Sequence, residues 1–483
     1  MNNKLKKIHI VIIVIGMIYL SLSVLNNNIW FDEAYSVGLA NHNIVDLCKI
    51  AAHDVHPVLY YIILRIFVVI FSKSMIVYRI VSLIPMYILL IFGYTHISKE
   101  FGKKVGIYFS FLMSFTPILV HYSTQIRMYS WAMLFVTLTA FYAYKVIKYK
   151  DTKSWVVFSI FGVLSAYTHY YALFTIAIIN VEMLVYILKK DKNSIKNWRK
   201  YAIIQIVAYL PGIITVIMQY IQVVKGFWIS ISYPSILAQI IESYFKDLIP
   251  NKIPLIFSIL LCVYIIYKII KIYKKEKSKA MLAIMPLMTC IFVVLFALIV
   301  SIIRPVFITR YMLPMIGLFI FLFAYIISNE DKKILKTVII LGITSLSIYN
   351  SYIFLHTVYS NDNNAVKEEM KNNLQKKDIF VFNKIGAGSV VSYYFKDNNS
   401  YFYNQYNWNI DEAYKAFAPQ MKCVNNLDSI ESYNGRIWII DADNSNVYEE
   451  IKDIQNKKVI IDRQKIYNSY NDMTFVITLF ENS

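Results

Sequence analysis

The chain has 483 residues, 58% hydrophobic and 16% charged, with a mean hydropathy of +0.49. That balance excludes a soluble enzyme, whose helices would show narrower amphipathic stripes. The net charge of +19 does not mark a nucleic-acid binder, because it lies mostly in short loops between apolar runs and not on one soluble face.

Apolar runs of about 20 residues recur from Ile8 to about Leu355 and read as membrane-spanning helices. The first, Ile8–Leu25, has the basic flank of a signal peptide, but no small-residue cleavage site follows. It is expected to be retained. The basic loops are Lys4–Lys7, Lys99–Lys104, Lys145–Lys153, Lys189–Lys200, Lys268–Lys279 and Asp331–Lys336. The positive-inside rule assigns them to the cytoplasm. Spans are then expected near 8–25, 78–97, 105–122, 130–147, 154–169, 171–188, 201–223, 253–271, 281–302, 309–327 and 335–355. That makes about eleven helices, with the N-terminus inside and the C-terminus outside.

The run His56–Phe71 does not fit this alternation. It is short and carries Arg65 at its middle, and a charge at mid-bilayer is costly. It is expected to lie at the outer surface or dip in partway. A true span paired with a further neighbour is the alternative.

The expected outer segments are Asn26–His56, Tyr122–Tyr129, Thr168–Tyr171, Val224–Lys252 and Ile303–Arg310. They hold the unusual residues. Of 13 carboxylates before residue 356, six fall outside: Asp32, Glu33, Asp46, Asp54, Glu242 and Asp247. Asp32 and Glu33 sit beside Trp30, Phe31 and Tyr35. Carboxylates drawn away from water hold protons more tightly, which suits a general base. A helix N-cap at Asp32 followed by a first-turn acid reads equally well.

"HDVHPVLYY" from His53 supplies Asp54, His56 and Tyr61 around a Pro57 that starts a helix. Such a helix start beside a histidine can receive a phosphate, or can simply be an interfacial helix with an aromatic belt. "HYSTQIRMYSW" from His121 supplies Arg127 and Tyr129, and "YTHYYALF" from Tyr167 supplies His169. "RPVFITRYMLP" from Arg304 supplies Arg304, Arg310 and Tyr311. One outward arginine reads as a lipid-headgroup contact. Three, with two histidines and a carboxylate pair, favour a phosphate cradle with a base. A lipid-linked phosphosugar is the phosphate available outside. A carboxylate would deprotonate an acceptor, and Arg or His would stabilise the departing lipid phosphate.

From His356 onward the character changes: 14 Lys+Arg stand against 17 Asp+Glu, compared with 35 against 13 before it. "NNAVKEEMKNNLQ" from Asn363 reads as a helix. "DIFVFN" from Asp378, "RIWIIDAD" from Arg436, "KKVIIDRQ" from Lys457 and "MTFVITLF" from Met473 read as strands. "SVVSYYFKD" from Ser389 reads as a helix after the Gly386–Gly388 turn. A small α/β domain is expected. "IGAGSV" lacks the full glycine pattern of a nucleotide loop, so a packing or acceptor-docking role is favoured. The cysteines at 48, 262, 290 and 423 have neither metal nor redox spacing.

"WFDEAYS" at 30–36, "HDVHPVLYY" at 53–61, "QIRMYS" at 125–130, "YTHYYAL" at 167–173 and "RPVFITRYMLP" at 304–314 together resemble the GT-C glycosyltransferases of the family 39 type. That family includes protein O-mannosyltransferases and the aminoarabinose transferases of lipid A. Each piece is weak singly, and the ordered set is specific. The resemblance implies Asp32 at the catalytic acidic position with Glu33 beside it. It also implies His56, Arg127 and Arg310 near the donor phosphate. Asp54, Tyr61, Tyr129, His169, Arg304 and Tyr311 would contact substrate or support those groups. Val58 stands where the family often has a second Pro, and Gln125 where it often has Glu. The second change leaves a metal role there in doubt.

The expectation is an all-α polytopic membrane domain of GT-C type over 1–355 and an extracytoplasmic α/β domain over 356–483. The activity expected is transfer of a hexose or pentose from a polyprenyl-phosphate donor to a glycan, lipid or protein, with inversion. No cofactor is required by the motifs, and a divalent metal on the outer carboxylates is an open alternative. The expected location is a plasma membrane, with the active site and tail extracytoplasmic and with membrane lipid, not nucleic acid, as surroundings. A polysaccharide polymerase or ligase would lack the first-loop Asp-Glu pair. A lipid or solute transporter would carry ionisable sites near mid-membrane.

Overall fold

The computed structural model of the protein describes residues 2–223, 233–407, 410–443, 445, 447–450 and 458–482. Among them, eight helices are long and apolar enough to cross a membrane, or nine if one bent pair is a single span. In hydrocarbon every backbone N–H and C=O must be met within its own segment, which drives such runs into helices. The chain is a multi-pass membrane protein. A helix stands at each of the eleven expected spans, but three of these are weaker than expected. Asn2–Leu20 carries Lys4, Lys6 and Lys7 in its first two turns. Thr152–Ala166 has 15 residues, about 22 Å at 1.5 Å per residue. Lys103–Phe115 and Pro117–Ser123 meet at an angle of 66°. Pro117 has no N–H to continue the first helix, and Thr116 before it is extended at ψ 122°. The expected count therefore exceeds what the helices support.

The chain folds into two compact units whose segments interleave. The first unit comprises Met1–Val24, Arg79–Val216 and Phe227–Phe354. Its described secondary structure is all helical. Between the helices Ser98–Phe101 and Lys103–Phe115 stands Gly102, whose φ of +100° suits a residue without a side chain. The expected outer segment Val224–Lys252 begins outside the described residues, and its remainder contains an unexpected helix, Tyr233–Lys246. That helix is held by tertiary contact: the Tyr244 hydroxyl donates to the Met312 carbonyl at 3.2 Å.

The second unit comprises Leu25–Tyr78, Ile217–Gly226 and Leu355–Ser483. Its sheet has strands β1 (Ile379–Phe382), β2 (Ser400–Tyr403), β3 (Met421–Val424), β4 (Ile437–Ala442), β5 (Lys458–Asn468) and β6 (Met473–Asn482). Their spatial order is β3-β2-β1-β4-β6-β5. The first four pair in parallel, and β6 runs antiparallel to both β4 and β5. Four of the six strands are the expected ones. The missed pair, β2 and β3, are as short as β1 but each includes a polar residue, Ser400 or Lys422, where β1 is wholly apolar. The glycine-bearing helix Ile385–Tyr394 packs against β1. A Cβ on Gly388 would sit 1.8 Å from the Phe382 ring, so this glycine permits close helix–strand contact. The short apolar helix Leu59–Ile70 has 12 residues, about 18 Å, short of a hydrocarbon core of about 30 Å. Arg65 on it donates to the Ala40 carbonyl at 3.2 Å.

In the turn after Ser328, Glu330 is buried and meets three donors. These are the Lys332 N–H at 2.8 Å, the Tyr264 hydroxyl at 2.9 Å and Lys268 Nζ at 3.2 Å. Burial opposes the charge, and these partners outweigh it, so the carboxyl falls from 4.5 to about 2. A lowered folded value contributes stability above the unfolded value. That contribution, about 3 kcal/mol, is lost as pH falls from 4.5 towards 2. Glu330→Gln should therefore unfold more easily than wild type at pH 7, with the gap narrowing towards pH 3. A pH-independent gap in thermal melts would remove the charge from this account.

Candidate functional site

In the second unit, Asp32 and Glu33 occupy the first turn of the helix Phe31–Asn41, with Trp30 as the extended cap residue. Asp32 is therefore inside the helix and not its N-cap. Successive helical residues point about 100° apart, so the two acids face different surroundings. Glu33 is fully buried. Its Oε2 accepts from the Tyr470 hydroxyl at 3.0 Å. Tyr470 lies in the turn between β5 and β6. The same turn sends Asn471 Nδ2 to the Ile29 carbonyl at 3.4 Å. Asn28 Nδ2 donates to the Val358 carbonyl at 2.8 Å. Tyr35, on the helix, meets the rings of Tyr61 and Phe417 edge-on at 6.1 and 6.0 Å. Asp54 and His56 are brought together loosely, with Oδ2 and Nδ1 3.4 Å apart. The His56 carbonyl accepts from Gln219 at 3.2 Å.

In the first unit, His169 caps the helix Tyr170–Lys190, its Nδ1 accepting from the Tyr171 N–H at 3.1 Å. That bond gives Nδ1 the acceptor role, so in the neutral ring the proton sits on Nε2. The His169 ring lies 5.6 Å from Tyr129 and 5.3 Å from Tyr311. The Tyr171 hydroxyl donates to the Val306 carbonyl at 2.8 Å, between Arg304 and Arg310 in sequence. Arg127 precedes Tyr129 by two residues and is buried. Arg310 directly precedes Tyr311 in the helical turn Thr309–Met315. The two segments that meet His169 thus each carry a guanidinium, the fork best suited to phosphate oxygens.

Two sets of residues went unread in the sequence. Tyr470 stands in a polar turn with no motif around it. His121 Nδ1 lies 3.2 Å from Asp247 Oδ1, and Asn350 holds the other Asp247 oxygen at 2.9 Å. The Gln125 amide lies 3.5 Å from His121 Nε2. Asp247 was visible as an outer carboxylate, but its partner is 126 positions away. Among the described residues, no group of three or more His, Cys, Asp or Glu side chains is placed to hold a metal ion.

Residues 55–218, a third of the chain, match the family model described as dolichyl-phosphate-mannose-protein mannosyltransferase. The structure is similar to that of ArnT from Cupriavidus metallidurans bound to undecaprenyl phosphate, with a TM-score of 0.61 over 97% of both chains. The chain has a GT-C fold. Identity to that ArnT is 10%, so the likeness is one of fold. Its apo state is matched with a TM-score of 0.57, also over 97% of both chains and at 10% identity. No curated protein matches in sequence.

Tyr470→Phe should destabilise the second unit by about 1–3 kcal/mol, since it removes a donor from a buried carboxylate. Paired with Glu33→Gln in a double-mutant cycle, it should show a coupling of about 1–2 kcal/mol. Simple additivity of the two losses would mean that the contact does not form.

Proposed function

We propose that this chain is an integral-membrane glycosyltransferase that moves a sugar from a polyprenyl-phosphate donor to an extracytoplasmic acceptor, with inversion. The observation that carries this reading is the mannosyltransferase-family match over 55–218. It spans His56, Arg127, Tyr129 and His169 in one stretch. The likeness to ArnT, whose crystal structure holds undecaprenyl phosphate, supports the lipid phosphate as donor.

In this reading the Asp32 carboxylate takes the proton of an acceptor hydroxyl or amine. The freed lone pair forms the new bond to the anomeric carbon. The bond from that carbon to the phosphate oxygen breaks, and its electron pair leaves with the lipid phosphate. Arg127 and Arg310 stabilise the charge gathering there, with His56 as a further donor. Arg304, Tyr61, Asp54, Tyr129, His169 and Tyr311 contact the donor or hold these groups. Glu33, buried against Tyr470, seats the helix that carries Asp32. The sugar is a hexose or pentose, and the acceptor a glycan, lipid or protein. Loop charge supports a plasma-membrane protein with the lysine-rich loops inside and the tail outside.

With purified protein in nanodiscs and a polyprenyl-phosphate sugar, Asp32→Asn should lower kcat by about 10²–10⁴-fold. Binding of the unglycosylated polyprenyl phosphate should be unchanged in that variant and weakened in Arg127→Ala and Arg310→Ala. Retained turnover in Asp32→Asn would remove Asp32 from the chemistry.

A further inference from the structure

A cavity of about 350 Å³ lies within the helical unit. Its walls come mainly from the helices Tyr129–Tyr149, Tyr170–Lys190, Lys277–Ile303 and Ile316–Ser328. Most of the lining is apolar, with Ala140 and Ala143 leaving space and Phe101, Tyr144 and Phe321 supplying aromatic faces. None of the residues assigned to sugar transfer lines it. One carboxylate does: Glu182. It sits eight residues from the end of its helix at Lys190, about 12 Å along the axis. That depth is within an apolar span. Among the described residues that line the cavity there is no Lys, Arg or His.

The bonding of Glu182 is incomplete. Thr289 Oγ1 lies 2.7 Å from Glu182 Oε2 and 3.0 Å from the Met285 carbonyl. A hydroxyl has one proton to give. If it goes to Met285, Thr289 accepts from a protonated Glu182. If it goes to Glu182, the glutamate is ionised. In both states Oε1 is an acceptor, and no described donor reaches it although it is shut off from solvent. The torsion that turns a terminal carboxylate is soft, so either oxygen can be offered to a molecule in the cavity.

We propose that this cavity binds an amphiphile that carries a protonated amine on a hydrocarbon body, with Glu182 as its counter-ion. An acceptor for a hydroxyl needs only an amide or another hydroxyl. A carboxylate inside an apolar span is costlier to keep, and what it adds is charge. The cavity supplies no cation of its own, so the ligand does. The aromatic faces suit the same ligand, because an ammonium is drawn to the face of a ring. The apolar walls take the chain by burial of hydrocarbon. This inference does not depend on the sugar-transfer reading, since it concerns other residues.

The test uses the full chain in nanodiscs of zwitterionic lipid, with dodecylamine as the probe and dodecanol as its uncharged counterpart. Dicyclohexylcarbodiimide, which modifies carboxyls in apolar surroundings, should label Glu182, read by peptide mass. Dodecylamine at about ten times its dissociation constant should slow that labelling roughly tenfold, as the fraction of empty sites falls. Dodecanol should not. Dodecylamine should also raise the melting temperature of wild type and leave that of Glu182→Gln, which keeps the size and one carbonyl oxygen, unmoved. Ala140→Leu, which fills the cavity without removing the carboxylate, should abolish the protection. Equal protection by dodecanol, a retained melting shift in Glu182→Gln, or retained protection in Ala140→Leu would overturn the proposal. So would the absence of both labelling and a dodecylamine-dependent shift.

Discussion

A carboxylate sealed from water has to be met by donors of the protein itself. Glu33 is such a group, and the phenol that meets it is Tyr470, 437 positions further along the chain. Much follows from that contact. The helix Phe31–Asn41 has no side-chain cap of its own, and its orientation rests on neighbours from the tail. Asn471 holds the Ile29 carbonyl, Val358 accepts from Asn28, and His42 reaches the Ala416 carbonyl at 3.2 Å. The α/β elements are therefore not an appendage. They form one compact unit with the loop that carries Asp32. In the proposed sugar transfer, this ties the candidate base to the tail's fold.

The helical unit obeys a different constraint. Hydrocarbon supplies no hydrogen bonds, so apolar runs become helices, and polar groups inside them are paired or functional. Where the chain leaves the helix, a local cause can be named. Pro117 stands at the 66° bend between two helices, Gly102 parts two helices at a φ of +100°, and His169 caps a helix through its own ring. That last bond does two things at once. It meets one of the unmet N–H groups at the helix start, and it leaves the proton of the neutral ring on Nε2. The capping residue is thus also the ring that Tyr129 and Tyr311, each next to an arginine-bearing stretch, pack against.

Much of this was legible in the residues. Apolar length and lysine-rich loops located the spans, because both are local properties of composition. The strands "DIFVFN", "RIWIIDAD", "KKVIIDRQ" and "MTFVITLF" announced themselves by β-branched and aromatic runs. β2 and β3 did not, because each sets a polar residue among only four positions and depends on the strands it pairs with, whereas the equally short β1 is wholly apolar. The helix Tyr233–Lys246 is held through Tyr244 and Met312, a contact invisible in sequence. The acids, histidines and arginines of the expected outer segments stood out because charged residues are rare in so apolar a chain.

The sequence by itself determined the membrane class and the helix positions, and it supplied the candidate residues for chemistry. These depend on local composition, which acts on each segment separately. Only the tertiary structure decided which of those residues are partners. It buried Glu33 against Tyr470, set His121 on Asp247, gathered Tyr129, His169 and Tyr311, and left Glu182 beside a cavity. Those outcomes depend on groups more than a hundred positions apart meeting in space, for most of these pairs. No local pattern encodes such meetings, because each partner looks ordinary until the other arrives.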